Sequence, residues 1–147
     1  MMLSLQAEEL KIIANSFDAD EKKGITLFKG DVKITKGFDK LNAQVVKVFT
    51  NAKHTPVKYV ARGKVTFYIK SENNAIYKGK AGKAIFYPLK KEYHFYKDVN
   101  IKQLDQKKQI IGEEVIINTV AGTAKASGGG KGPVIMTFEL QEETKKW

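Results

Sequence analysis

Gly30-Asp31-Val32-Lys33-Ile34-Thr35-Lys36 decides the fold, because the chain states it three times. Gly63-Lys64-Val65-Thr66-Phe67-Tyr68-Ile69 begins 33 residues later, and Lys97-Asp98-Val99-Asn100-Ile101-Lys102 begins 34 after that. Each copy sets small or polar turn residues before a short run that alternates apolar with polar. Period two sends alternate side chains to opposite faces of a strand. Self-similarity near 34 residues predicts a protein that repeats one β unit.

Outward from these copies the pattern continues. Thr26, Phe28, Gly30, Val32 and Ile34 share one parity, ended by Lys36-Gly37-Phe38-Asp39. Leu41 to Phe49 fits helical spacing at Leu41, Val45 and Val48, but its β-branched Val45, Val46 and Val48 favour a strand. Lys58 to Lys70 reads as a strand weakened at Gly63. Ala75 to Leu89 reads as another, with Ile85, Tyr87 and Leu89 on one parity and Pro88 marking an edge or bend. Tyr93 to Lys102, Gln109 to Thr119 and Val134 to Leu140 complete the strands. Asp18 to Gly24, Asn51 to Pro56, Glu72 to Asn74, Asp105 to Lys108 and the glycine-rich 121–132 read as turns and loops. Residues 8–20 open with Glu8 to Ala14, a helical turn by composition or an edge strand by alternation. Small residues recur before the return runs at Ala43, Gly82 and Gly112, where a sheet corner needs close backbone approach. About ten short strands at regular spacing predict an all-β sandwich, barrel or roll.

The 147 residues fit one domain, expected over 8–140. Leu3-Ser4-Leu5-Gln6-Ala7 resembles the end of a secretory leader, so 1–7 read as a leader remnant or a truncated start, and 141–147 as a loose tail. No run approaches the roughly 18 apolar residues of a spanning helix. Cysteine is absent, which excludes disulfides and thiol catalysis. The charge is +10, from 26 Lys+Arg against 16 Asp+Glu, and favours anionic partners without choosing among nucleic acid, acidic lipid and phosphorylated glycolipid.

Catalytic chemistry finds no foothold. His54 and His94 lack companions spaced for a metal or a triad, so neither a metal nor a cofactor is expected. Asp18/Asp20 and Glu113/Glu114 read as solvated surface. In Gly128-Gly129-Gly130-Lys131-Gly132 the lysine is followed by glycine, and Lys125 stands where a phosphate loop needs its first glycine. The chain is not read as an enzyme.

Three stretches carry a resemblance: Ile13-Ala14-Asn15-Ser16-Phe17-Asp18, Phe28-Lys29-Gly30-Asp31-Val32 and Leu41-Asn42-Ala43-Gln44-Val45-Val46. With Gly63-Lys64-Val65, Tyr77 to Leu89 and Ile111 to Val115, they resemble the OstA-like family of lipopolysaccharide-transport proteins from about Ile12 to Leu140. The resemblance implies a β-jellyroll of stacked antiparallel strands, open at the ends and along one side. It implies a periplasmic protein that carries lipopolysaccharide between the two membranes of a Gram-negative cell. It further implies head-to-tail assembly, and docking to inner- and outer-membrane transport proteins, through edge strands near Ile12-Ile13 and Val134 to Leu140. The lysine-rich surface and Pro88 inside a groove strand depart from the family's pattern.

A roll with an apolar interior suits this role, since each CH₂ leaving water gains about 0.8 kcal/mol. The same-parity set Val32, Ile34, Val46, Val48, Val65, Phe67, Ile69, Ile85, Tyr87, Leu89, Val99, Ile101, Val115 and Ile117 would line the trough. The resemblance puts Ile13, Phe67, Tyr87 and Leu89 first as lipid A contacts. Inward positions of small barrels are also commonly filled by core packing. A second reading is a basic β-barrel for single-stranded nucleic acid, using Tyr68, Phe86 and Tyr96 on the opposite parity for base stacking. No RNA-binding signature supports it, so no nucleic acid is expected. A scaffold that binds only proteins is a third.

Overall fold

A computed structural model describes residues 9–140, and within them the chain is ten β-strands. The expectations for 1–7 and 141–147 lie outside the described residues. The strands are β1 (Leu10–Ile13), β2 (Ser16–Asp20), β3 (Ile25–Lys36), β4 (Asp39–Thr50), β5 (Pro56–Lys70), β6 (Ile76–Tyr87), β7 (Glu92–Gln103), β8 (Lys108–Asn118), β9 (Thr123–Ser127) and β10 (Ile135–Phe138). They form one antiparallel sheet in the order β1-β3-β4-β5-β6-β7-β8-β10, with β2 also on β3 and β9 also on β8. The sheet does not close. Among the described residues each end therefore keeps an unpaired edge, with β1 and β2 at one and β9 and β10 at the other.

The repeated stretch is where the sheet folds over. Pairing slips between Lys29 and Val32, Arg62 and Val65, and Tyr96 and Val99. At those points Gly30-Asp31, Gly63-Lys64 and Lys97-Asp98 are consecutive left-handed residues. Two such residues make a β-bulge that bends the strand and raises its twist. Gly63 shows why a small residue is needed: at φ +84° a Cβ there would meet the Gln44 Cβ at 2.9 Å. Bulges aligned across five strand pairs crease the sheet into two leaves. The first leaf holds β2, β9 and one half of β3 to β8; the second holds β1, β10 and the other halves. The core lies between them, as in a sandwich.

The crease also decides which side chains face inward. On odd-numbered strands the inward positions step by four across it, from Phe28 to Val32, Ala61 to Val65 and Phe95 to Val99, which keeps parity. On even-numbered strands they step by three, from Ala43 to Val46, Ala81 to Ala84 and over Gly112 to Val115. There parity reverses. Ile85 and Tyr87 consequently fall on the outer face, while Ala84 and Phe86 face the core.

β6 ends at Tyr87, so Pro88 sits in the following turn and does not interrupt the strand. Leu89 lies in that turn, 74% exposed. Asp18, Ala19 and Asp20 belong to β2, and only Glu21 to Gly24 turn. Thr123 to Ser127, expected as loop, pairs with β8 as β9. Ile13 is 52% exposed, because it pairs with outward Lys33 while Ile12 pairs with Ile34 and packs on the core.

Candidate functional site

Between the leaves an aromatic ladder fills the centre. Phe67 on the second leaf stacks on Phe95 of the first at 3.9 Å. Tyr93 continues to Phe86 at 4.5 Å, and Phe86 to Tyr59 at 5.8 Å. Around the ladder Val32, Val46, Val65, Ile69, Val99, Ile101, Val115 and Ile117 are essentially inaccessible, and Val48 is buried. Ten members of the sequence-derived lining are thus packed core, Phe67 among them. Ile34 is half-buried beside the core.

Near β1 the packing loosens into a small apolar pocket. The second leaf supplies Leu10, Ile34 and Leu41, and the first supplies Tyr59, Ala61, Ala84, Phe86 and Tyr93. The pocket holds about 30 Å³, room for about two waters, and its rim carries Lys36, Asp39 and Lys40. Tyr93 Oη donates to Asp39 Oδ2 at 2.7 Å, while the Lys70 backbone N–H donates to Asp39 Oδ1 at 3.0 Å. The Lys36 ammonium lies 5.0 Å from the Phe86 ring centre. Burial pushes the Tyr59 hydroxyl above its ordinary 10.0, so it stays protonated. An apolar floor with cations at its lip suits an amphiphile whose polar end is anionic.

Sequence reading placed Ile34 here and missed the remainder. Phe86 and Ala84 were hidden by the parity reversal at Gly82. Leu41 carried a signal, since it alternates with Ala43 ahead of the corner.

The outer face of the first leaf collects what the interior refuses. Val60 and Ile85 lie buried there, outside the core cluster. His94 shares hydrogen bonds with Glu92 at 3.1 Å and Tyr96 at 3.3 Å. Partial burial, then Arg62, Lys58 and Lys97 as like charges, hold the Lys83 ammonium below its usual range. Of the aromatics considered for base stacking, Phe86 is in the core. Tyr68 and Tyr96 lie on the outer faces of different leaves, across the crease of their register-shifted strands.

Fold and pocket together define an unclosed β-jellyroll with an apolar inter-leaf space. A family model described as "LptA/(LptD N-terminal domain) LPS transport protein" matches residues 11–123. The chain belongs to that family of lipopolysaccharide transport proteins. Among solved structures it is similar to LptH of Pseudomonas aeruginosa, the LptA homologous periplasmic component of that organism's lipopolysaccharide transport device. The TM-score is 0.78 at 17% identity, over 90% of this chain and 96% of the other. No curated protein matches the chain in sequence.

Proposed function

We propose that this protein is a non-enzymatic periplasmic lipopolysaccharide carrier that admits acyl chains between its leaves at the β1 side. The observation that carries the reading is the apolar pocket of Ile34, Leu41, Tyr59 and Phe86 with Lys36 and Lys40 at its rim. Tails would enter by parting the leaves there, because the resting volume of about 30 Å³ is far below that of a hydrocarbon chain. The gain of about 0.8 kcal/mol per CH₂ offsets the loss of rim contacts once several carbons are inside. Ile34, Leu41, Tyr59 and Phe86 take the role of tail contacts, and the residues around Phe67 and Phe95 act as a fixed floor.

Assembly follows from the open ends. β1 and β2 expose Ile13 and Phe17, and β10 exposes Ile135, Met136 and Phe138, beside unpaired backbone. Uncovered edges of this kind invite strand addition. Head-to-tail copies, and the transport proteins of the inner and outer membranes, are the partners that such edges fit. The whole of 8–140 serves as one carrier domain.

Titration of the purified protein with lipopolysaccharide tests the reading. Saturable binding that changes little with salt is expected, since apolar burial is insensitive to screening. Absence of binding, or an affinity that falls steeply with salt and is matched by an oligonucleotide, would reject it.

A further inference from the structure

The outer face of the second leaf carries lysines set in register. Lys40 of β4, Tyr68 of β5, Lys78 of β6 and Lys102 of β7 form one continuous cross-strand row. Neighbouring strands lie about 4.8 Å apart, so these side chains converge on one strip. The adjacent row is Asn42, Thr66, Lys80 and Asn100. All eight residues line a shallow depression of about 720 Å³. Its polar groups are held in place: the Asn42 amide donates to Thr66 Oγ1 at 3.3 Å, and the Gln109 amide donates to Asn100 Oδ1 at 2.8 Å. Among the described residues no carboxylate forms an ion pair with Lys40, Lys78, Lys80 or Lys102. The first leaf differs, because Glu92 and Glu114 interleave with its cations.

Lys40 lines this depression and also the rim of the apolar pocket. The two sites therefore meet at one residue. We propose that the depression binds the phosphorylated saccharide of the same glycolipid whose tails enter the pocket. This assignment rests on the carrier reading above. A phosphate meets ammonium groups from adjacent strands, sugar hydroxyls meet Asn42, Thr66 and Asn100, and the Tyr68 ring offers an apolar face to a sugar. The chemistry argues against other occupants. A single outward aromatic cannot stack successive bases, and among the described residues Leu104 is the one aliphatic side chain lining the depression, too little apolar surface to anchor in a membrane.

The test uses the full chain and its Lys78→Gln/Lys102→Gln variant, both positions being exposed. The probes are intact lipopolysaccharide, its deacylated phosphorylated saccharide, and that saccharide after dephosphorylation. The native protein is expected to bind the phosphorylated saccharide in a salt-sensitive way, shifting the backbone resonances of Thr66 and Asn100. Either the double substitution or removal of the phosphates should weaken this binding about tenfold. Equal affinity of variant and native protein, equal affinity for the dephosphorylated saccharide, or shifts confined to the first leaf would overturn the site. So would displacement of the saccharide by an equal concentration of oligothymidine. If intact lipopolysaccharide binds native and variant protein alike, only this site fails. If it binds neither, the carrier reading fails with it.

Discussion

The Tyr93 hydroxyl donates to Asp39 Oδ2 at 2.7 Å, joining β7 of the first leaf to β4 of the second at the rim of the apolar pocket. The same carboxylate accepts the Lys70 N–H of β5 at 3.0 Å, so it ties three strands. Removing the hydroxyl leaves the second bond in place, whereas removing the carboxylate loses both. Tyr93→Phe should lower stability by about 1 kcal/mol and Asp39→Ala by about 2–3 kcal/mol, read from urea midpoints at unchanged m. Tyr93→Phe should also speed lipopolysaccharide uptake in stopped flow, since it loosens the lips without altering the apolar floor.

The Phe67–Phe95 stack supports the floor. Phe95→Ala should cost about 3–5 kcal/mol in calorimetry or urea unfolding, from lost burial and the cavity left behind. That approaches the whole stability of a small domain. A charged substitution at Phe67 would accordingly report on folding before it reported on lipid.

At the crease, Gly63→Ala combines a left-handed backbone with a Cβ 2.9 Å from that of Gln44. A loss of about 1–3 kcal/mol is expected in thermal unfolding. A change within about 0.5 kcal/mol would mean that the crease is far more pliant than its aligned bulges imply.

Glu92 gives the outer face a pH signature. Its hydrogen bond from His94, then that from Asn118, outweighs partial burial and holds its pKa below the ordinary 4.5. A depressed carboxylate adds stability above the unfolded-state pKa and loses it as pH falls through the folded one. Glu92→Gln should therefore be less stable than the native chain at pH 7 and equal to it at about pH 2, in urea titrations at both pH values.

Much of this fold is legible in the sequence, and the exceptions have one cause. The recurrences at Gly30-Asp31, Gly63-Lys64 and Lys97-Asp98 are the bulges themselves, so the repeat unit was a structural joint. Strict alternation was then carried through Gly82, where the joint takes three residues instead of four. That error put Ile85 and Tyr87 on the wrong face and hid Phe86. Val46 and Val115, which follow the same kind of corner on β4 and β8, do face the core. Ile13 comes from the resemblance alone, and on the edge strand β1 it is half exposed while Ile12 packs on the core. Leu89 was carried past the strand's end, where Pro88 starts a turn. β9 left no apolar signature, since Thr123 to Ser127 are all exposed and held by backbone pairing with β8 alone. The pocket is a gap between two leaves that share the strands β3 to β8, and its lining comes from six strands, so no single segment encodes it.

Phe86 and Tyr87 are neighbours in the chain on opposite faces of β6, one lining the pocket and one outside it. A photoreactive phenylalanine analogue at each position, irradiated in cells making lipopolysaccharide, gives the most direct test. The account predicts a lipopolysaccharide adduct from position 86 and none from position 87. Adducts from 87 with none from 86 would contradict it, because the cargo would then ride on the outer surface and not between the leaves.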